Sequence, residues 1–531
     1  MRRLRISVLD LATKGPIHSV WGRLMQPNFA SIMPQAVAAW CEEAGHDVRF
    51  VCYTGREDLA REIPSDTDIV FVAAYTQSAL LAYALSSIYR RQGVRTVIGG
   101  SHARCYPDDA ARYFDYVLGF TDKATVLEVL RDCAPHQPVG LQLSAARQPT
   151  HLPGVRERWK FIAPTIAKTP IVKLVPMIAS LGCPYTCSFC IDSRVEYQPL
   201  DGQQLRDDLR FLLERVRRPR VGWHDPNFGV RFDETMEVIE SAVPRGSIDF
   251  AAESSLSLLS EPHLDRLRRN GFKAILPGIE SWYDMGGKSK TGGRTGHEKM
   301  RQVSDHLNTI VRYIPYVQAN FVLGLDSDAG EEPFELTRAF IDRTPGIFPA
   351  YSLLSAFGEA APLNLELQRA GRVLPTPFHF LDNNRAMNVR PKNYSWASLY
   401  DHVIRVREHS FSWRAVARRL RVNERGLPRW LNAVRAVSSE GWGRIRYDAG
   451  VRRRLDGDGD FRRFVEGETT ALPGFYTDQV KQDLGHFWEA LPEGALRHDP
   501  NAYLRREAAK PLPAVARARR GGPAAAAAAA R

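Results

Sequence analysis

The chain has 531 residues, of which 44% are hydrophobic and 25% are charged, and its formal net charge at neutral pH is +12. This length exceeds what one hydrophobic core supports, so it predicts several domains, and the composition excludes a wholly disordered protein. The positive charge favours a solubilising surface over a nucleic-acid interface, because the basic residues do not form one stripe interleaved with aromatic side chains.

The sequence contains no run that approaches the roughly 20 apolar residues needed to span a bilayer. The basic start, MRRLRISVLDLA, is interrupted by Asp10 and is not followed by a small-residue cleavage site. We therefore expect a cytoplasmic protein without a membrane span. In that reducing compartment, clustered thiols indicate metal or redox chemistry rather than disulfides.

Residues 1–135 alternate short apolar runs with amphipathic segments. The runs LRISVLDL, DVRFVCY, DIVFVAAY, RTVIGG and DYVLGF predict five parallel strands, and segments such as MPQAVAAWCEEAGH predict helices between them. This alternation predicts a Rossmann-like, doubly wound α/β domain, which would bind its ligand beyond the carboxyl ends of its strands.

The remaining chain divides into four predicted parts. Residues 136–170 carry repeated prolines without a clear periodicity and predict a linker. Residues 171–375 contain six strand and helix units, which predict a partial (β/α)6 barrel with its chemistry at the C-terminal strand ends. Residues 376–508 predict a helical C-terminal domain, and the low-complexity residues 509–531 predict a disordered tail.

Three of the seven cysteines, Cys183, Cys187 and Cys190, fall in the stretch SLGCPYTCSFC, just after the first strand of the predicted barrel. A zinc site requires four ligands, and a zinc alternative would need a residue such as His224 as the fourth. Three thiolates suit a [4Fe-4S] cluster that leaves one iron open to a substrate or cofactor. Three buried structural cysteines are the other alternative.

With Phe189 just before the last cysteine, the spacing resembles the CxxxCxΦC signature of radical S-adenosylmethionine (SAM) enzymes. The resemblance implies that Cys183, Cys187 and Cys190 bind the cluster, that Phe189 belongs to the cofactor site, and that the open iron chelates SAM. The family often has a Gly-Gly-Glu turn after the second strand. The chain has HDPNFG there, which is similar to the strand end of cobalamin-associated members.

The resemblance also implies SAM contacts at the later strand ends. Candidates by position are polar residues after the second, third and fourth predicted strands, namely Asp225, Asn227, Glu253, Ser254 and Glu280. In the following loop, GGKSKTGGRTG, the cations Lys288, Lys290 or Arg294 could meet the SAM carboxylate. Each of these residues could instead cap a helix or order a loop.

The first domain resembles the cobalamin (B12) domain of B12-dependent radical SAM enzymes, through the stretch VIGGSHARCYPDDAARYFDYVLG. Ser78 and Leu80 match a Ser-x-Leu element, and Gly99 and Gly100 match a Gly-Gly element; in cobalamin domains these flank the nucleotide tail. No Asp-x-His-x-x-Gly follows the first strand, so the resemblance implies no histidine ligand to cobalt. The usual Gly-Glu-x-Glu is GFTDK here, which departs from the pattern. A purely structural Rossmann-like domain is the alternative.

The resemblance implies a B12-dependent radical SAM C-methyltransferase that acts on an unactivated carbon of a small-molecule or natural-product substrate, through a 5'-deoxyadenosyl radical and methylcobalamin. Its implied cofactors are a [4Fe-4S] cluster, SAM and cobalamin, and its implied partner is a reducing electron donor such as flavodoxin or ferredoxin. One alternative is radical oxidative cyclisation or rearrangement without net methyl transfer. Another, from a different class, is a metal-stabilised nucleic-acid-binding protein, although we expect no specific nucleic acid. The sequence identifies no catalytic acid or base.

Overall fold

The computed structural model of the protein describes residues 2–17, 30–132, 139–169, 173–382 and 384–509. Two parallel α/β sheets are followed by a helical region, which confirms the predicted fold class. Residues 510–531, which make up nearly all of the predicted disordered tail, lie outside the described residues. No helix in the described ranges is both long and apolar enough to cross a membrane.

The central strands of the first sheet are apolar runs that are buried on both faces, as in other doubly wound sheets. Its strands are β1 (Arg5–Leu11), β2 (Asp47–Tyr53), β3 (Ile69–Ala74), β4 (Arg95–Gly99), β5 (Tyr116–Leu118) and β6 (Leu141–Leu143). They are all parallel, in the order β2-β1-β3-β4-β5-β6. The order reverses beside β1, so the loops after β1, β3 and β4 meet at one edge of the sheet.

The helices of this region cover the sheet. They are α1 (Ile32–Glu43), α2 (Leu59–Glu62), α3 (Ala79–Arg91), α4 (Ser101–Cys105), α5 (Pro107–Ala110), α6 (Lys123–Asp132) and α7 (Val155–Lys168). Residues 136–170, predicted to be a linker, instead contain both β6 and α7. The sequence did not predict β6 because Leu141–Leu143 is exposed or half-buried and shows no apolar pattern. It did not predict α7 because Pro164 lies inside that helix.

The second sheet is an open barrel. Its strands are β7 (Val175–Met177), β10 (Arg220–Trp223), β11 (Asp249–Ala252), β12 (Phe272–Ile275), β13 (Gly278–Glu280), β14 (Tyr316–Leu323) and β15 (Phe348–Leu353). A separate short hairpin, β8 (Ser180–Leu181) with β9 (Gln198–Pro199), follows β7. The predicted fourth strand, FKAILPGIES, forms both β12 and β13, which pair with the same side of β14 on either side of Pro277. The barrel therefore has six strand positions, as the sequence predicts.

Helices connect the barrel strands along its outside. They are α8 (Gly202–Arg215), α9 (Phe232–Ala242), α10 (Glu261–Arg269), α11 (Gly286–Ser289), α12 (Gly296–Tyr313) and α13 (Glu332–Arg343). The helix α14 (Pro362–Arg369) follows β15, before the predicted start of the helical domain at residue 376. The helices beyond residue 376 are α15 (Trp396–Phe411), α16 (Trp413–Val422), α17 (Leu427–Val437), α18 (Trp442–Gly457), α19 (Gly459–Val465), α20 (Gly474–Leu484) and α21 (Ala502–Ala509).

The C-terminal helices also contact the first domain. In the loop after β1, the Lys14 ammonium is buried and donates to the backbone carbonyl of His379 (Nζ to O, 2.8 Å). The His379 ring is in turn 2.8 Å from the Asp483 carboxylate. A Cβ at Gly15 would overlap the carbonyl oxygen of Asp483. The first loop of the chain and its last helices are therefore packed as one unit.

Candidate cofactor site between the two α/β domains

The three clustered cysteines lie in the loop between β8 and β9, beyond the carboxyl end of β7. The loop folds back on itself, since the Cys183 amide donates to the Val195 carbonyl (3.3 Å) and the Cys190 amide to the Cys187 carbonyl (3.0 Å). Cys187 is buried, Cys183 and Cys190 are half-buried, and all three are free thiols. The predicted placement at the first barrel strand end thus agrees with the geometry.

Glycine at position 182 is required by the path of this loop. Gly182 has φ +70°, a backbone conformation that side chains with a Cβ rarely adopt. A Cβ there would overlap the Glu196 carbonyl oxygen and lie 2.9 Å from the Val195 carbonyl oxygen. The absence of a side chain therefore lets the two arms of the loop close around the cysteines.

The surroundings of the cysteine sulfurs disfavour thiolates that have no ligand. Burial raises the pKa of Cys183 and Cys187, and that of Cys190 to about 11, so bare thiolates are disfavoured. The Lys288 ammonium opposes this shift at each cysteine. Backbone amides also donate to sulfur, from Asp192 to Cys190 Sγ (3.4 Å) and from Tyr185 to Cys183.

The donor set fits an iron-sulfur cluster, which is held by cysteine thiolates that accept such hydrogen bonds. Within the described ranges, no three His, Cys, Asp or Glu side chains already stand together as ready metal ligands. The zinc alternative gains no support, since His224 lines a different cavity, described below.

Glu280 and Lys288 form an ion pair at the end of β13, with Lys288 Nζ 2.6 Å from Glu280 Oε1. Glu280 is buried and holds a left-handed backbone, φ 65°. Glu253 follows the neighbouring strand, β11, and its side chain is exposed. Desolvation by the surrounding protein raises the pKa of Glu253, the Lys288 ammonium lowers it and the Glu280 carboxylate raises it. The predicted residues Glu253, Glu280 and Lys288 are thus gathered beside the cysteine loop.

Asp225 and Asn227, at the end of β10, are engaged with the protein itself. The Asp225 carboxylate accepts from the Ala179 amide (3.1 Å) and from the Ser180 hydroxyl (2.6 Å), so it holds the segment that leads into the cysteine loop. Burial raises its pKa to about 6. Asn227 Oδ1 accepts from the amide of Ser255 (2.8 Å).

The other end of the Asn227 side chain is available to a ligand. Asn227 Nδ2 is buried and has no hydrogen-bond partner among the described residues. The remaining predicted contacts differ in their surroundings: the Ser254 hydroxyl donates to the Phe228 carbonyl (2.9 Å), and Phe189 packs half-buried against the core. Of the residues at these two strand ends, Asn227 and Glu253 are therefore best placed to contact a cofactor.

A cavity of about 260 Å³ lies at the carboxyl end of the first sheet. The ends of β1, β3 and β4 line it through Asp10, Tyr75 and Gly100, and the start of α1 through Ser31. Gly100 has φ +93°, and a Cβ there would lie 2.9 Å from the Ala74 carbonyl oxygen. His224 lines the opposite wall from the barrel side.

Of the residues predicted to contact cobalamin, only Gly100 lines this cavity. Gly99 is its neighbour in the chain, whereas Ser78 and Leu80 are buried at the start of α3 and are not among the cavity residues. Ser78 Oγ is nevertheless buried without a hydrogen-bond partner in the described part of the chain. It is the one buried polar group of the predicted Ser-x-Leu element.

Tyr75 joins the cavity to the barrel. Its side chain is about half exposed (52%) and lines the cavity opposite His224. Desolvation by the surrounding protein raises the pKa of its hydroxyl, and the carboxyls of Asp10 and Glu253 raise it further. Asp10 is itself buried and bonded to the Ser31 hydroxyl (3.1 Å). The prediction missed Asp10 and Tyr75; a carboxylate inside the buried run SVLDL was the only available signal. The barrel residues Pro176, Ile178 and His224 form the other side of this cavity.

No protein-family model matches the chain. In sequence, it is 25% identical over 370 residues to bacteriochlorophyllide d C-12(1)-methyltransferase of Chlorobaculum tepidum, which covers 67% of this chain and 78% of that protein. It is 30% identical over 219 residues to hopanoid C-2 methylase of Rhodopseudomonas palustris, covering 40% of each. Both matched proteins are named for methyl transfer.

In structure, the chain is similar to the cobalamin-dependent S-adenosylmethionine radical enzyme OxsB with aqua-cobalamin bound. The TM-score is 0.53 at 13% identity, and the match covers 95% of this chain and 84% of that one. This chain has the fold of the cobalamin-dependent radical SAM enzymes. The fold expected from the cysteine spacing and the Gly-Gly strand end is thus confirmed.

Proposed function

We propose that this protein is a cobalamin-dependent radical SAM C-methyltransferase that acts on an unactivated carbon of a small organic substrate. The observation that carries the proposal is the cavity at the carboxyl end of the first sheet, which Tyr75 of the first domain lines together with Ile178 and His224 of the barrel. Two cofactor sites that meet in this way can act on one substrate atom. The relatives support methyl transfer, but neither bacteriochlorophyllide nor hopanoid is carried over as the substrate.

The proposal assigns each cofactor to residues that fit it. Cys183, Cys187 and Cys190 would hold a [4Fe-4S] cluster, whose open iron would bind SAM. The cavity lined by Tyr75 and Gly100, at about 260 Å³, would hold only a part of cobalamin, at the carboxyl end of the first sheet. When bound, the cluster and SAM supply a hydrogen-abstracting radical, and cobalamin supplies the methyl group.

The residues of the chain bind and orient these groups. Asn227 Nδ2, a buried donor without a partner in the described residues, would donate to an oxygen of SAM. The exposed carboxylate of Glu253 would accept from a SAM amino or hydroxyl group, and Lys288 would face the SAM carboxylate. Asp225 acts indirectly, because it holds the Ala179 and Ser180 segment that positions the cysteine loop.

Two further assignments follow from the same chemistry. Reduction of a cluster requires an external one-electron donor, and we propose one of the flavodoxin or ferredoxin class. The six described cysteines are free, which is consistent with a reducing compartment such as the cytoplasm.

The test is anaerobic purification with iron, sulfide and hydroxocobalamin, followed by metal analysis, an absorption spectrum and a SAM cleavage assay. We expect about four irons and about one cobalt per chain. Cys183→Ala, Cys187→Ala and Cys190→Ala should each lose the cluster and SAM cleavage. Cys105→Ala, a buried cysteine close to Cys190, is the matched control and should keep both.

The outcomes separate the parts of the proposal. Iron without cobalt would contradict the cobalamin assignment but leave radical chemistry in place. Full SAM cleavage in any one of the three cysteine variants would refute the cluster assignment. Methyl transfer would be refuted if candidate substrates are consumed and 5'-deoxyadenosine is produced, but no methylated product is formed.

A further inference from the structure

The helical hairpin α16–α17 exposes large apolar side chains to solvent. They are Trp413 (73% exposed), Val422 (54%), Leu427 (41%) and Val437 (44%). The Trp413 ring packs edge to face with the Trp442 ring, at 4.4 Å between ring centroids. Large exposed apolar side chains that cluster in one region mark an interaction surface, whereas scattered ones do not.

The exposed side of α16 combines these apolar groups with arginines. The exposed positions follow the helical repeat as two adjacent rows, made of Trp413, Arg414, Ala417, Arg418, Arg421 and Val422. The opposite side of the helix is buried through Val416 and Arg419. Within the described part of the chain, Arg414 and Arg421 have no carboxylate partner, while Arg418 reaches Asp342 at 3.6 Å.

The turn after α16 leads directly to a basic cavity. Leu427, Arg425 and Glu424 line one wall of a cavity of about 740 Å³ at the amino ends of the barrel strands. The cations that line it are Lys173, Arg217, Arg218, Arg220, Lys273 and Arg425. Against them stand two carboxylates, Glu424 and Asp249, and the latter is 3.9 Å from Arg218.

We propose that this surface binds a lipid bilayer that contains anionic lipids. We name it the basic apolar face, made of the exposed rows of α16, residues 422–427 and the cations of the cavity. Tryptophan and arginine together suit the boundary between headgroups and acyl chains, and an amphipathic helix lies in that plane. The unpaired cations add attraction to negatively charged headgroups.

Other occupants fit the observations less well. A nucleic-acid duplex would use the cations but would leave Trp413, Val422 and Leu427 without apolar partners, because its base faces are stacked on each other. A second copy of the chain in a two-fold contact would place this face against itself, and the like charges would repel. A bilayer with anionic lipids offers acyl chains to the apolar side chains and negatively charged headgroups to the cations.

The basic apolar face lies at the opposite end of the barrel from the cysteines. Val175, Arg220 and Asp249, at the starts of β7, β10 and β11, line the basic cavity, whereas the cysteine loop follows the other end of β7. Substitutions on the face therefore leave the cofactor site intact. The proposal does not depend on which reaction the enzyme catalyses.

The experiment is a flotation assay with the purified full-length enzyme. The vesicles contain phosphatidylcholine alone or phosphatidylcholine mixed with phosphatidylglycerol, at low and at high NaCl. We expect binding to the anionic vesicles that weakens with salt, and little binding to the neutral ones. Arg421→Gln with Arg425→Gln should lower the partition coefficient about 25-fold, or about fivefold for each cation.

Two further variants separate lipid binding from general charge effects. Trp413→Ser should weaken binding while the salt dependence stays the same, because it removes apolar contact only. Arg91→Gln with Arg131→Gln, exposed arginines on α3 and α6, removes the same charge elsewhere and should bind as the unchanged protein does. Circular dichroism melting checks that each variant is folded.

The proposal is overturned if anionic and neutral vesicles bind equally, or if the control pair weakens binding as much as the pair on the face. Salt-sensitive binding to duplex DNA or RNA without binding to vesicles would assign the face to nucleic acid instead. Dimerisation that is lost in Trp413→Ser, without vesicle binding, would assign it to a second copy of the chain.

Discussion

Substitution of Gly182 by alanine tests whether the backbone path of the cysteine loop is needed for cluster binding. An alanine at φ +70° costs about 1 to 2 kcal/mol from backbone strain alone. The new Cβ would overlap the Glu196 carbonyl oxygen and lie 2.8 Å from its carbonyl carbon, whereas ordinary contact begins at 3.4 Å. One arm of the loop must therefore shift by about 1 Å, a displacement that costs about a hundredfold in a positioned site.

Gly246 provides a matched control, because it also has φ +70° but nothing lies within 4 Å of the position of its Cβ. We expect Gly182→Ala and Gly246→Ala to lose about the same stability from strain. Only Gly182→Ala should fail to incorporate iron and to cleave SAM. Iron analysis after anaerobic reconstitution compares the iron content of the two variants. Urea unfolding of the metal-free proteins compares their free energies of unfolding. Full iron content in Gly182→Ala would refute the reasoning.

The other predictions concern neighbouring residues. Burial raises the pKa of Asp225 to about 6, so its ionisation lowers the free energy of unfolding as the pH rises from 4 to 7. Over that pH range, Asp225→Asn should gain about 2 to 3 kcal/mol in free energy of unfolding relative to the unchanged protein. Parallel plots of unfolding free energy against pH for the two proteins would contradict this. Lys288→Met leaves Glu280 buried without its cation and should cost about 3 kcal/mol by urea unfolding, most of which a second change, Glu280→Gln, should restore. Gly100→Ala crowds the Ala74 carbonyl and should lower cobalt content while iron content stays normal.

The sequence predicts the barrel well because each of its strands is an apolar run followed by a polar turn. The cysteine loop was also placed correctly, since its spacing is a local property of the chain. The division of FKAILPGIES into β12 and β13 was not foreseeable, because it depends on how Pro277 sits between two segments that pair with the same neighbour.

The role of each polar residue at the strand ends could not be derived in the same way. Asp225 and Asn227 are two positions apart and look alike as candidate ligands. Contacts with Ala179 and Ser180, which are distant in sequence, engage Asp225, while Asn227 keeps one buried amide without a described partner. Such a distinction depends on tertiary contacts that no local pattern encodes.

The bond from Lys14 to the carbonyl of His379 sets a limit on how this enzyme can be divided. Because the loop after β1 is packed against the last helices, the N-terminal domain is not a detachable module. A shortened protein that ends before residue 376 would expose the Lys14 ammonium group and the backbone around Gly15. Chimeras that exchange the first domain between relatives will need to exchange the C-terminal helices with it, so the two ends of the gene are expected to have changed together.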